Sequence, residues 1–129
     1  MNKIATFTTV TLFAAILVLP LVACAGDATQ EGDVYAVSTK TSGKGDKGAV
    51  TVTVTGKDGY KCNILYPWKL TLRDPTGEKV VKKDQAKVFS ESKVQFDLGD
   101  ISLGATKAQL KLSVCNDKQC QNKTVDLSF

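Results

Sequence analysis

The chain has 129 residues, of which 43% are hydrophobic and 23% charged; 17 basic and 13 acidic side chains give a formal charge of +4. That length accommodates one compact domain rather than two, and the apolar content is too high for a disordered chain. There are four cysteines and no histidine, which removes Ser–His and Cys–His catalytic pairs, imidazole metal sites and histidine pH switches. Carboxylates, lysines, tyrosines and cysteines are left as chemical actors, and neither a metal nor a cofactor is expected.

Met1 to Lys3 carry one positive charge, while Ile4 to Ala23 carry none and close on an apolar run from Leu12. A basic start followed by such a run reads as a secretory signal. Thr6, Thr8, Thr9 and Thr11 dilute its first half and Pro20 interrupts its second, so it is a poor permanent span, which needs about 20 mostly apolar residues. Leu21-Val22-Ala23-Cys24-Ala25 resembles the lipobox of bacterial lipoproteins. The resemblance implies cleavage after Ala23 and acylation of Cys24, with thioether- and amide-linked chains such as palmitate. Each buried methylene then contributes roughly 0.8 kcal/mol to membrane attachment. Ala25 stands where inner-membrane members of that class carry Asp, so an outer-membrane position facing the periplasm or the cell surface is expected. On this reading residues 1–23 are the signal peptide. Residues 24–33 are the lipidated cysteine and a small, polar, flexible tether with a reach of roughly 15–18 Å. Residues 34–129 form the folded domain.

Past the tether, apolar residues recur with period two, the signature of strands with one wet face. Val50, Val52 and Val54 alternate with Thr51, Thr53 and Thr55. Tyr60, Cys62, Ile64, Tyr66, Trp68, Leu70 and Leu72 share one parity, with Pro67 expected to interrupt or bend the run. Glu78 to Lys87 has no clear face and fits a loop, a short strand or a helical turn. Val94, Phe96 and Leu98, then Ala108, Leu110, Leu112 and Val114, then Val125, Leu127 and Phe129 complete the pattern. Turn formers lie between: 41–48, 56–59, Asp74-Pro-Thr-Gly77 and Asn116-Asp-Lys-Gln119. About seven short antiparallel strands in this length predict an all-β, immunoglobulin-like sandwich. The lysines are scattered along the chain with acids between them, so no basic stripe argues for a nucleic-acid partner.

With Cys24 assigned to lipid, parity sorts the other three cysteines. Cys62 shares the apolar row of Tyr60 and Trp68 and is expected in the core. Cys115 continues the polar row of Lys111 and Ser113, and Cys120 shares the row of Asn122, Thr124 and Asp126. A four-residue hairpin loop at 116–119 sets Cys115 opposite Cys120, Leu110 opposite Val125 and Ala108 opposite Leu127, all on consistent faces, so a Cys115–Cys120 disulfide is predicted. Closing so short a loop contributes only roughly 2 kcal/mol through chain entropy, which leaves room for a chemical role beside a structural one. Tyr60, Tyr66 and Trp68 could form a recognition surface, but their shared apolar row places them in the core.

The hairpin sequence Leu112-Ser-Val-Cys115-Asn-Asp-Lys-Gln-Cys120 resembles the N-terminal domain of the membrane thiol:disulfide interchange protein family (DsbD). The resemblance implies an immunoglobulin-like fold and a redox pair, Cys115 and Cys120, that takes electrons from a thioredoxin-like domain and passes them to envelope partners. Lys118 and Lys123 favour a thiolate there and Asp117 opposes one. Two functions stand side by side: a non-catalytic binding or structural lipoprotein stapled by Cys115–Cys120, and a thiol:disulfide exchange domain using the same pair. A third expectation is that an exposed sheet edge pairs with an envelope protein.

Overall fold

A computed structural model describes residues 27–43 and 45–129; residues 1–23, expected to be a signal peptide, and Cys24, expected to be acylated, lie outside the described residues. Ten strand segments follow in order: β1 (Asp27–Glu31), β2 (Tyr35–Ser42), β3 (Lys47–Gly56), β4 (Lys61–Cys62), β5 (Lys69–Asp74), β6 (Gly77–Lys82), β7 (Val88–Phe89), β8 (Val94–Ser102), β9 (Lys107–Cys115) and β10 (Cys120–Ser128). They form two antiparallel sheets. Sheet I has the order β1-β2-β3-β8-β7, and sheet II the order β10-β9-β5-β6, with β4 also paired to β9. Leaving β1 aside, sheet I reads A-B-E-D and sheet II G-F-C-C′ in immunoglobulin strand letters, so the fold is an immunoglobulin-like sandwich.

Period-two patterning fills the space between the sheets. Val50, Val52 and Val54 of β3 and Val94 and Phe96 of β8 face Leu70 of β5 and Leu110, Leu112 and Val114 of β9, all fully buried. Trp68, immediately before β5, lies edge-on to Phe89 of β7 with ring centroids 6.2 Å apart. In β8 the pairing with β3 slips between Ala49 and Thr51, and Gly99 supplies the positive φ of 64° there. The slip reverses the parity of β8, so Ile101 and Leu103, rather than Asp100, pack against the core.

Two local expectations change, and one open alternative is resolved. Asp27–Glu31, read as part of the tether, is strand β1, paired residue by residue with β2 from Asp27↔Lys40 to Glu31↔Ala36. All five of its residues are exposed, so backbone hydrogen bonds hold it and no apolar period marks it. The strand segments number ten rather than about seven because β1 is added, β7 is a two-residue piece, and strand C is broken into β4 and β5. The lysine-rich stretch from Glu78 resolves into β6 followed by a single 3-10 turn, Lys83–Gln85.

Candidate functional site: the stapled end of the sandwich

β3 ends at Gly56, and the chain turns at once into Tyr60 and β4. A Cβ on Gly56 would lie 1.9 Å from the Tyr60 carbonyl oxygen, so this close backbone approach requires glycine. β4 pairs with the last two residues of β9, Lys61↔Cys115 and Cys62↔Val114, whereas β5 begins at Lys69↔Lys111. The register moves by four residues between them, and the excess, Asn63–Trp68, is extruded as a loop in which Pro67 needs no ladder donor.

Asn63 organises that loop. Its backbone N–H donates to the Ser113 carbonyl (2.9 Å), and its side-chain amide donates to Ser113 Oγ (3.3 Å). Its Oδ1 accepts from the Leu65 N–H (3.1 Å), and its carbonyl accepts from the buried Trp68 Nε1 (2.7 Å). Ser113, read as an outward polar residue, is thereby buried beneath Asn63. The fixed loop pushes two apolar side chains into water: Leu65 is 87% exposed and Ile64 38%. Ile64 therefore leaves the core row to which parity assigns it. Trp68 is buried as expected, while Tyr60 and Tyr66 are half-buried against the core.

Beside the loop stands the β9–β10 hairpin. Its register is Cys120↔Cys115, Val125↔Leu110 and Leu127↔Ala108, as the four-residue loop predicts, and Cys115 and Cys120 are disulfide-bonded. Asn116 Oδ1 accepts from the N–H groups of Lys118 (2.9 Å) and Gln119 (2.8 Å), closing the tip as an Asx-capped turn. The Tyr60 hydroxyl accepts from Gln119 Nε2 (2.8 Å) and Gln121 Nε2 (3.3 Å), tying the B–C segment to the hairpin. Cys115 is half-buried and Cys120 exposed. A shallow depression of about 400 Å³ separates loop and hairpin, lined among others by Lys61, Asn63, Leu65, Glu91 and Cys115.

Cys62 is chemically separate from the pair. It is a free thiol, 2% exposed, with Sγ 3.7 Å from the Val54 carbonyl oxygen. Burial pushes its pKa up from 9.0 to about 11, so at neutral pH it is an un-ionised thiol with no nucleophilic character. Among the described residues no group of three or more His, Cys, Asp or Glu is placed to hold a metal ion.

Strand register also assembles a feature that linear reading missed. Lys111, Lys69 and Lys82 are direct cross-strand partners on the outer face of sheet II. Lys107 and Arg73 oppose one another four residues further along β9 and β5. The lysines are scattered in the sequence and gathered in the fold.

No protein-family model and no curated protein matches this chain. Among solved structures, the GAE domain of GGA2p from Saccharomyces cerevisiae is similar over 81% of this chain and 96% of that one, with 9% identity and a TM-score of 0.43.

Proposed function

We propose that this protein is a binding lipoprotein of a bacterial cell envelope, without catalysis of its own, anchored through acylated Cys24 and presenting the stapled end of its sandwich to a protein partner. The carrying observation is Leu65, 87% exposed on a loop that Asn63 and the disulfide-bonded hairpin hold in place. An apolar side chain displayed on a preorganised support loses little entropy on docking.

Strand direction supports this arrangement. β1 runs from Asp27, opposite Lys40, toward Glu31, whose carboxylate pairs with Lys57 (3.3 Å) just past Gly56. Asp27 thus lies level with Thr51 at the middle of β3, and the chain enters β1 from the side away from the hairpin tip. Only two residues separate Cys24 from β1, for a reach of at most about 11 Å, less than the flexible tether allows. On this reading the β1 edge is held close to lipid, and the stapled end lies on the side toward which β1 runs. The test is the mass of the mature protein after expression of the full chain in a lipoprotein-processing bacterium. The expected product begins at Cys24 and carries acyl chains, and Cys24→Ala abolishes both. An unmodified mature N-terminus overturns the anchor.

A second reading, thiol:disulfide exchange with an envelope thioredoxin-like protein, is favoured by two observations: Cys120 is exposed, and Lys61 lies directly across from Cys115. A cation there would support a Cys115 thiolate, although Glu91 and Asp117 line the same depression. The pair's reduction potential separates the readings: a structural staple lies below about −300 mV, an exchange pair at roughly −180 to −270 mV.

A further inference from the structure

We infer that the outer face of sheet II binds an anionic polysaccharide, a glycan chain bearing carboxylate groups. The inference stands on the register of β6, β5, β9 and β10 and is independent of the stapled end. One row across the sheet is Lys82, Lys69 and Lys111, each the direct partner of the next, followed by Thr124. Like charges placed directly opposite on one face destabilise a sheet. Here the repulsion is repeated at two successive strand pairs. The second row holds Arg73 and Lys107 and lies four residues away, roughly 13 Å along the strands.

The four lysines of these rows have no ion-pair partner among the described residues, whereas Arg73 is bonded to Glu78 at 2.7 Å. Asp74, at the margin, accepts from Thr76 and Gly77 and is engaged in its own turn; Asp126 is the remaining acid on the face. Between the rows the floor is Thr71 and Gln109, paired with one another across β5 and β9. Lys69, Lys111, Arg73 and Lys107, with Thr71 and Gln109 between them, line a shallow depression of about 510 Å³.

The chemistry narrows the occupant. Two groups of cations flanking the hydrogen-bonding Thr71 and Gln109, with Asp126 beside Gln109 as the acid of that row, match a chain whose charges are spaced by hydroxyl-bearing units. No aromatic residue occupies the outward positions of these strands, so the face offers no stacking platform for nucleobases. Its one outward aliphatic side chain, Val80, is 38% exposed at the sheet edge, which gives little to insert into a bilayer.

The test titrates the full-length chain in detergent with polygalacturonate, and in parallel with neutral dextran, duplex DNA and poly-glutamate. Saturable binding to polygalacturonate that weakens with salt, with none to dextran, is expected. Lys69→Gln combined with Lys111→Gln should weaken it by about tenfold or more, with a melting temperature at least as high as that of the unsubstituted chain because the like-charge row is broken. Lys118→Gln, at the hairpin tip, should leave it unchanged. No saturable binding, or unchanged affinity in the double variant, overturns the inference. So does equal or tighter binding of DNA or poly-glutamate, which would make the face a generic cation patch or assign it to another macromolecule.

Discussion

The two hairpins that open and close the described chain are built on opposite principles. β9–β10 buries an apolar row on one face and carries a disulfide at its tip. β1–β2 adds five exposed residues to a sheet edge through backbone hydrogen bonds, with Lys57 bonding Glu31 and the Gly32 carbonyl at its turn. The contrast separates what side-chain burial contributes from what a hydrogen-bond ladder contributes alone. The sharpest way to break the first hairpin is Leu112→Ala. Leu112 is fully buried at the centre of β9, and the variant should lose about 3–4 kcal/mol in denaturant unfolding through lost transfer energy and the cavity left behind.

Cys62, paired in register with Val114 of the same hairpin strand, gives the next effect through pH. The folded protein holds the thiol proton up to about pH 11, whereas an ordinary thiol loses it near 9.0. Between those values the folded state binds more protons than the unfolded state, so stability falls as pH rises; below pH 9 the group contributes no slope. The loss approaches about 2–3 kcal/mol above pH 11. Lysines and tyrosines titrate in the same window, so the quantity to measure is the stability difference between the chain and Cys62→Ala as a function of pH. A difference that stays flat from pH 8 to 11.5 contradicts a buried, un-ionised thiol.

Replacing both Cys115 and Cys120 by Ser should cost roughly 2 kcal/mol, because the bridge closes only a short loop. The β10 register should survive, since Val125 and Leu127 still face the core. A much larger loss, or collapse of the fold, would mean that the staple rather than the apolar row specifies the hairpin.

Where side chains declare their environment, the sequence was legible. Alternation marked most strands, and a four-residue loop set the Cys115–Cys120 register, which a one-residue slip would break by turning Leu110 or Val125 outward. Features that rest on register between distant strands left no linear trace. The excursion at Asn63–Trp68 follows from a four-residue mismatch between β4 and β5 on β9, which moves Ile64 into water and buries Ser113 although their parity is unchanged. Only Pro67 hinted at it. The Lys82–Lys69–Lys111 row depends on three strands meeting, and no count of charges along the chain could reveal it. Gly99 carried a signal that was available, a glycine inside an alternating run, which marks a bulge.

β1 was missed for the complementary reason: Asp27-Ala-Thr-Gln-Glu31 has no apolar period to read. With no buried side chain, its opening should approach zero free energy while the β9 amides exchange only through global unfolding. Hydrogen exchange should therefore show β1 amides lost first, by orders of magnitude, and Thr29→Ala should change global stability by less than about 0.5 kcal/mol. Protection of β1 equal to that of β9 would mean that the edge strand belongs to the cooperative core. The distinction bears on anchoring. Under the proposed anchoring through Cys24, a strand that opens readily would lengthen the link to the sandwich by five residues, and the domain would alternate between a position close to lipid and one further from it without disturbing the stapled end.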